Sequence, residues 1–188
     1  SAFSSCSGLL DIRIRSGVTS IGRFAFYNCS GLTEVIWNAE NCTSAGSSNS
    51  PMFKNCANLT SITIGDNVKT IPSYAFSGCS GLTSITIPDS VTSIGFAMFR
   101  ECRRLESITL PFIGAELNGT KNTHFGYVFG ASSYSDNSEY VPSSLKTVII
   151  SNSSGVTSIG ERAFYECSGL TLSLIHISEP TRQAEISY

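Results

Sequence analysis

The chain has 188 residues, of which 41% are hydrophobic and only 14% are charged, with 12 Lys and Arg against 14 Asp and Glu. A folded chain of this length has one sizeable core, and the low charge leaves its polar surface to Ser, Thr and Asn. The formal net charge of −2, without a basic block, excludes the electrostatic footprint of a nucleic-acid-binding protein. No apolar stretch approaches the roughly 20 residues that span a bilayer, so no membrane span is expected.

Repeated units follow one another along the chain. Three of them have 23 residues and three are longer, at 9–31, 59–81 and 82–104 and then 32–58, 105–144 and 145–169. Each unit opens on Leu, and apolar residues follow three and five positions later, as in Leu59, Ile62 and Ile64. The final spacing of two is typical of a short strand with one buried face. It predicts strands near 10–14, 33–37, 60–64, 83–87, 106–110 and 146–150.

The second half of each unit predicts a turn and a return path. After a turn rich in Pro, Gly, Asp or Asn, Val68 and Ile71 form a second inward pair, and then come a Phe and, three residues later, a Cys. One unit cannot fold alone, because fixing each backbone residue costs roughly 1–2 kcal/mol whereas each buried apolar side chain returns about 1.5–3 kcal/mol. Stacked units share a continuous core, so we predict a solenoid with one parallel strand per coil.

The recurring sequence of the units resembles one particular repeat family. The stretch LTSITIPDSVTSIG at 82–95, followed by an Ala-Phe and Cys-Ser-Gly segment in its neighbours, resembles the BspA-like leucine-rich repeats of microbial cell-surface proteins. The resemblance covers residues 2–171. It implies an α/β leucine-rich-repeat solenoid, mostly β, built as a right-handed stack of about seven coils with a parallel sheet on the concave face. It also implies attachment or protein binding at a cell surface, and it carries no catalytic residues.

The repeat stops near the end of the chain. After Leu170 and Thr171 the residues do not match the apolar columns of the repeat. The stretch LSLIHISEPTR at 172–182 instead resembles the translation of a transposase-type sequencing adapter. We therefore expect residues 1–171 to be a single solenoid, a fragment without either cap, and residues 172–188 to be a non-native tail. A genuine C-terminal cap is the alternative.

The cysteines are regularly spaced, and six of the seven occupy one repeat column: Cys6, Cys29, Cys56, Cys79, Cys102 and Cys167. Stacked coils place such side chains about 4.8 Å apart, beyond the Cβ separation that a disulfide prefers. We expect a ladder of buried free thiols. A metal site is not expected, because no CxxC motif occurs and His124 is the only histidine outside the tail. Cys42 lies off the column and has no assigned role.

The segment 111–144 departs most from the repeat and is the first candidate interaction surface. Its aromatic residues stand among Gly, Ser and Asn, a composition suited to contact with a partner. The candidates are Phe125, Tyr127, Tyr134 and Tyr140. As an alternative, the same aromatic residues close the excursion over the core.

The outward positions of the strands are the second candidate surface. They vary at Asp11, Arg13, Glu34, Ile36 and Ile149, whereas the middle of the face is uniformly Ser and Thr. Variation from unit to unit is expected of a binding face. Uniform short hydroxyl side chains are equally suited to a spacer.

We interpret the chain as a protein–protein interaction or adhesion module of a microbial surface or secreted protein. The partners would be extracellular proteins of a host or of microbes, and an extracellular or cell-surface location follows from the resemblance. A passive structural stalk that presents another domain is the alternative. No nucleophile, metalloprotease or phosphate-loop motif occurs, so we expect no enzyme activity and no cofactor.

Overall fold

The computed structural model describes residues 2–151 and 155–175, with only the backbone described for 172–175. Its strands are β1 (Asp11–Ile14), β2 (Ser20–Ile21), β3 (Glu34–Trp37), β4 (Ser44–Ala45), β5 (Ser61–Ile64), β6 (Thr70–Ile71), β7 (Ser84–Thr86), β8 (Ser93–Ile94), β9 (Ser107–Leu110), β10 (Thr147–Ser151) and β11 (Thr171–Ile175). Two 3₁₀ helices, Phe125–Phe129 and Tyr134–Asp136, and the one-turn helix α1 (Asn137–Tyr140) lie between β9 and β10. The strands predicted for the first half of each unit are confirmed as β1, β3, β5, β7, β9 and β10.

These strands pair in parallel with their counterparts in the next unit, except β5 with β7. They form a three-stranded sheet, β1-β3-β5, and a four-stranded sheet, β11-β10-β9-β7. The two sheets lie side by side at β5 and β7, which contact each other without pairing. The predicted count of about seven coils therefore differs from the longest uninterrupted stack, which has four strands among the described residues.

The core lies behind these sheets and is lined by the predicted columns. Val35 and Ile108 are fully buried, because alternate residues of each strand point inward, and Leu59 is fully buried just before β5 begins. The second inward pair is confirmed as well, since Val68 and Ile71 are fully buried. This half of the unit forms two short parallel pairs, β2 with β4 and β6 with β8.

The Phe column forms ladders of rings inside the solenoid. Ring centroids lie 5.0–6.4 Å apart in the contacts Phe3–Phe26, Phe26–Phe53, Phe76–Phe99, Phe99–Phe129, Phe125–Phe129 and Phe125–Phe164. Phe129 of the long unit belongs to this column. Phe125 joins it, because the long unit supplies two rings where a 23-residue unit supplies one.

A left-handed backbone residue stands immediately before each cysteine of the column. The φ angles are between 57° and 79° at Ser5, Asn28, Asn55, Gly78, Glu101 and Glu166. This conformation reverses the chain after the Phe, so that the Cys29 amide donates to the Phe26 carbonyl and the Leu32 amide to the Cys29 carbonyl. The turn thereby directs Phe, Cys and Leu of one unit into the same core.

The expectation that the repeat columns end at Thr171 is wrong for the backbone. β11 pairs with β10 in register, and Leu172 and Leu174 stand opposite Val148 and Ile150. The sequence pattern missed this because the step from Leu170 to the strand is one residue shorter than in other units, so the columns shift by one. The origin of residues 172–188 stays a prediction, and 176–188 lie outside the described residues.

Candidate functional site

One end of the outward strand face carries charged residues. The pairing of β1 with β3 places Asp11 opposite Glu34 and Arg13 opposite Ile36. Asp11 and Arg13 are exposed, while Glu34 and Ile36 are half-buried. The structure therefore brings these four predicted residues together as neighbours on two adjacent strands.

Ile149 does not join that group. It lies on β10, opposite Thr109 of β9, in the other hydrogen-bonded sheet. Between the two ends the outward positions are Ser and Thr, such as Ser61 and Thr63 on β5 and Ser84 on β7. The face thus has a charged end, a neutral hydroxyl-lined middle and an apolar residue near the far end.

A polar groove lies where β1, β3 and β5 end. It has a volume of about 450 Å³ and is lined by Arg15, Ser16, Asn38, Glu40, Gly65, Asp66, Asn67 and Val68. Gly65 opens it, because a Cβ at that position would collide with the Asn38 side chain. Sequence reasoning missed this groove, since its lining residues belong to three different units and form ordinary turns in each.

The excursion at 111–144 is held on the solenoid by one buried side chain. Asn137 is fully buried, and its Oδ1 accepts the Gly126 amide at 2.9 Å. Its Nδ2 donates to the carbonyls of Ala163 at 3.0 Å and Tyr165 at 3.3 Å. Because Asn137 satisfies backbone groups from two segments, it fixes α1 against the following coil.

An aromatic patch stands on this base and consists of Tyr134, Arg162 and Tyr165. The two Tyr rings pack edge to face with centroids 5.7 Å apart, and they are 37% and 43% exposed. Arg162 donates from Nη1 to the Tyr134 hydroxyl at 2.9 Å, and its Cζ lies 5.3 Å from the Tyr134 ring centroid. The hydrogen bond to Tyr134 raises the pKa of the Arg162 guanidinium, and Glu161 Oε1 lies 3.6 Å from its Nε, so the positive charge of the patch is paired with a neighbouring carboxylate.

The other predicted residues of the excursion serve the core. Phe125 is 1% exposed, so its prediction as a contact residue is wrong: its ring packs between Phe129 and Phe164. Tyr127 and Tyr140 are half-buried and pack against the core. Burial raises the pKa of Tyr127. Only Tyr134 of the four predicted aromatic residues is largely open to solvent.

Arg162 and Tyr165 are contact candidates that the sequence did not single out. They belong to the unit after the excursion, at repeat positions that Phe24 and Tyr27 occupy in the unit at 9–31. Only the folding of the excursion onto that unit brings them to Tyr134. No signal in the one-dimensional pattern marks this proximity.

The cysteine column is buried as predicted, except that Cys6 at the first coil is exposed. Cys29, Cys56 and Cys102 donate their S–H groups to the carbonyls of Phe3, Phe26 and Phe76 in the preceding coil, over 3.0–3.3 Å. Burial raises the pKa of Cys56 to about 11 and that of Cys102 to about 12. These thiols therefore stay protonated at neutral pH and act as weak donors within the stack.

His124 is placed in the interior as well. It is 7% exposed, and its Nε2 lies 3.0 Å from the Ala131 carbonyl oxygen, which fixes the turn after the first 3₁₀ helix. Within the described ranges, no three His, Cys, Asp or Glu side chains are grouped as a metal site would require. None of the helices in that part of the chain is long and apolar enough to cross a bilayer.

The sequence profile of the BspA type leucine-rich repeat region matches residues 1–119 and 133–185 in six copies. A comparison with curated proteins returned no significant match.

Two solved structures share the fold. A leucine-rich repeat protein from Bacteroides ovatus has a TM-score of 0.52 and 24% identity over 92% of this chain and 38% of its own. The pneumococcal vaccine antigen PcpA has a TM-score of 0.52 and 15% identity over 91% of this chain and 42% of its own. The chain therefore spans less than half the length of either protein.

Proposed function

Because the chain belongs to the BspA-type leucine-rich-repeat family, we propose that it is a protein-binding module that mediates adhesion at a microbial surface. Its partners are extracellular proteins of a host or of other microbes, and the parent protein is extracellular or displayed on the cell. One of the proteins that share its fold is described as a vaccine antigen, which agrees with an exposed location.

The aromatic patch is the observation that carries this proposal. Tyr134 and Tyr165 are exposed, yet their rings are already held by each other and by Arg162. Tyr and Arg are enriched among residues that dominate binding energy, and a side chain ordered before binding loses little conformational entropy. The buried Asn137 beneath them supplies a rigid base.

The charged end of the strand face is a second contact area within the same function. Asp11 and Arg13 are exposed side chains on a flat sheet, and opposite charges on one surface steer and orient a partner more than they add affinity. No catalytic role is proposed, since His124 is buried and bound to a backbone carbonyl.

A passive stalk is the competing function, and one observation favours it. The outward residues Ser61, Thr63, Ser84 and Ser107 are short, neutral and alike from coil to coil. Such a surface solvates a spacer and offers no anchor to a partner.

Binding to immobilised extracellular-matrix proteins tests the proposal. We expect the double variant Tyr134→Ser, Tyr165→Ser to bind about tenfold more weakly or worse, with an unchanged melting temperature. The matched control is Tyr74→Ser, which removes a half-buried Tyr from a similar edge-to-face pair, with Phe96. Equal binding by the double variant would exclude the patch, and no binding by the unmodified chain would favour the stalk.

A second control addresses the first coil. Phe3 and Leu10 are 50% and 61% exposed there, and exposed apolar side chains bind other proteins without specificity. The variant Phe3→Ser, Leu10→Ser should retain the binding that the aromatic patch provides. Loss of binding in this variant alone would show that the measured adhesion comes from the coil end.

A further inference from the structure

Backbone hydrogen bonds between successive coils are interrupted at one boundary. β5 pairs with β3, and β7 pairs with β9, whereas no hydrogen bond joins β5 to β7. The second sheet stops at the same level, because β4 pairs only with β2 and β6 only with β8. Residues 44–91 are all described, and none of the hydrogen bonds found among them connects 44–68 with 70–91. We call this boundary the seam.

The Phe segment lacks its hydrogen bonds at the seam too. The Phe26 amide donates to the Met52 carbonyl at 3.0 Å, and the Phe76 amide donates to the Met98 carbonyl at the same distance. The equivalent bond from the Phe53 amide, across the seam, is absent among the described residues.

Side-chain contacts that join other coils are also missing at the seam. Cys56 donates to the Phe26 carbonyl and Cys102 to the Phe76 carbonyl, but the equivalent bond from Cys79 to the Phe53 carbonyl is missing from the described structure. The stacked contact that joins neighbouring Phe rings elsewhere is also missing between Phe53 and Phe76. The Phe76 ring instead meets Trp37 edge to face at 5.3 Å.

Three of the four inward residues beside the seam are slightly more exposed than their counterparts elsewhere. Ile62, Ile64 and Ile85 are 8%, 6% and 5% exposed and Ile87 is 1% exposed, whereas Val35, Trp37 and Ile108 are fully buried. Two buried side-chain atoms of the described residues lack a hydrogen-bond partner, Trp37 Nε1 and Ser90 Oγ. Trp37 contacts a ring on the far side of the seam, and Ser90 belongs to the first turn beyond it. Imperfect packing is therefore concentrated at one level of the stack.

The 27-residue unit at 32–58 borders the seam in the Phe segment. Pro51 stands two residues before Phe53, and the equivalent Phe24, Tyr74 and Ala97 have φ angles between 52° and 61°. Proline is locked near a φ of about −65° and cannot adopt that conformation. The Phe26 and Asn28 amides of the preceding unit nevertheless bond to this unit, so the loss of hydrogen bonds is confined to its other side.

We propose that the seam is a hinge, about which residues 2–68 move as one rigid stack and residues 70–151 and 155–171 as another. Opening breaks none of the backbone hydrogen bonds found between the described residues, so it requires less free energy than parting hydrogen-bonded coils. Lys69 forms the pivot, because the chain passes there from one stack to the other: its amide donates to the Glu40 carbonyl of the first stack, and its carbonyl accepts the Thr92 and Ser93 amides of the second. The hinge lies between the charged end of the strand face and the aromatic patch, and it changes the separation of the two. It does not depend on either surface binding a partner.

Amide hydrogen exchange of the unmodified chain, followed by NMR, is the first test. The Phe53 and Asn55 amides should exchange about a hundredfold faster or more than the amides of Phe26, Asn28 and Gly78, which occupy equivalent positions and are hydrogen-bonded to the next coil. Equal protection of these amides would overturn the proposal.

Spin labels test the motion itself. In a Cys6→Ser background, which removes the exposed thiol, one label pair at Glu34→Cys and Ser107→Cys spans the seam. The matched pair at Ser84→Cys and Thr171→Cys spans the same number of strands within one stack, where regular strand spacing places its positions about 14 Å apart. We expect a broad distance distribution for the first pair and a narrow one for the second. Equal widths would show that the seam is rigid.

Discussion

The left-handed residue before each cysteine makes Glu101 a site where a single substitution should stabilise the fold. Glu101 has a φ of 63° and Gly78, at the equivalent position of the preceding unit, has 79°. A side chain in this region costs about 1–2 kcal/mol, because the Cβ crowds the carbonyl that follows. Glycine removes that cost and adds about 0.4–1 kcal/mol of entropy to the unfolded chain. The Glu101→Gly variant should therefore be more stable by about 0.5–1 kcal/mol.

Urea unfolding at equilibrium measures this effect as a shift of the midpoint. Arg103→Gly is the matched control, since Arg103 is equally exposed and has no positive φ, so the same change should destabilise by about 0.5–1 kcal/mol. The reverse variant Gly78→Ala should also destabilise, and strain is the reason, because its Cβ would lie an ordinary 3.8 Å from the nearest atom, Lys54 Cα. If Glu101→Gly lowers the midpoint as much as Arg103→Gly does, the turn is not strained and the reasoning fails.

Three further predictions concern the excursion, the thiols and the end of the chain. Asn137→Ala should lower the free energy of unfolding by about 2–4 kcal/mol, because the Gly126 amide and the Ala163 carbonyl lose a buried partner; unchanged urea unfolding would contradict this. In the presence of a reductant, stability should fall as the pH rises from 9 towards 11, since the buried Cys56 thiol stays protonated up to a pKa of about 11 while the unfolded thiol ionises near 9.0. Each such thiol lowers stability by at most about 1.4 kcal/mol per pH unit in that window, and a Cys56→Ala variant should show a shallower fall. Deletion of residues 172–188 should lower the melting temperature through loss of the β11 pairing, and an unchanged value would support a foreign origin of that segment.

The sequence by itself determined the fold, because a solenoid repeats one local rule. The spacing of Leu59, Ile62 and Ile64 specifies a strand with one buried face, and recurrence of that spacing leaves stacking as the only way to bury it. The same rule placed the Phe and Cys columns in the core. The prediction failed after Thr171. There the step from Leu170 to the first inward strand residue is one residue shorter than in the other units, so the strand does not match the repeat columns.

The tertiary structure alone decided which side chains meet across units of unequal length. Phe125 and Tyr134 belong to the same polar and aromatic stretch, yet one is buried between rings and the other is exposed beside Tyr165. Asn137 is an ordinary polar residue in the sequence, but in the fold it is buried and hydrogen-bonds the Gly126 amide and the Ala163 carbonyl. The seam is likewise invisible in the pattern, since the units that carry β5 and β7 have the same length and the same apolar columns. Repeat spacing describes each coil by itself, whereas contacts between unlike coils depend on how their backbones align in three dimensions.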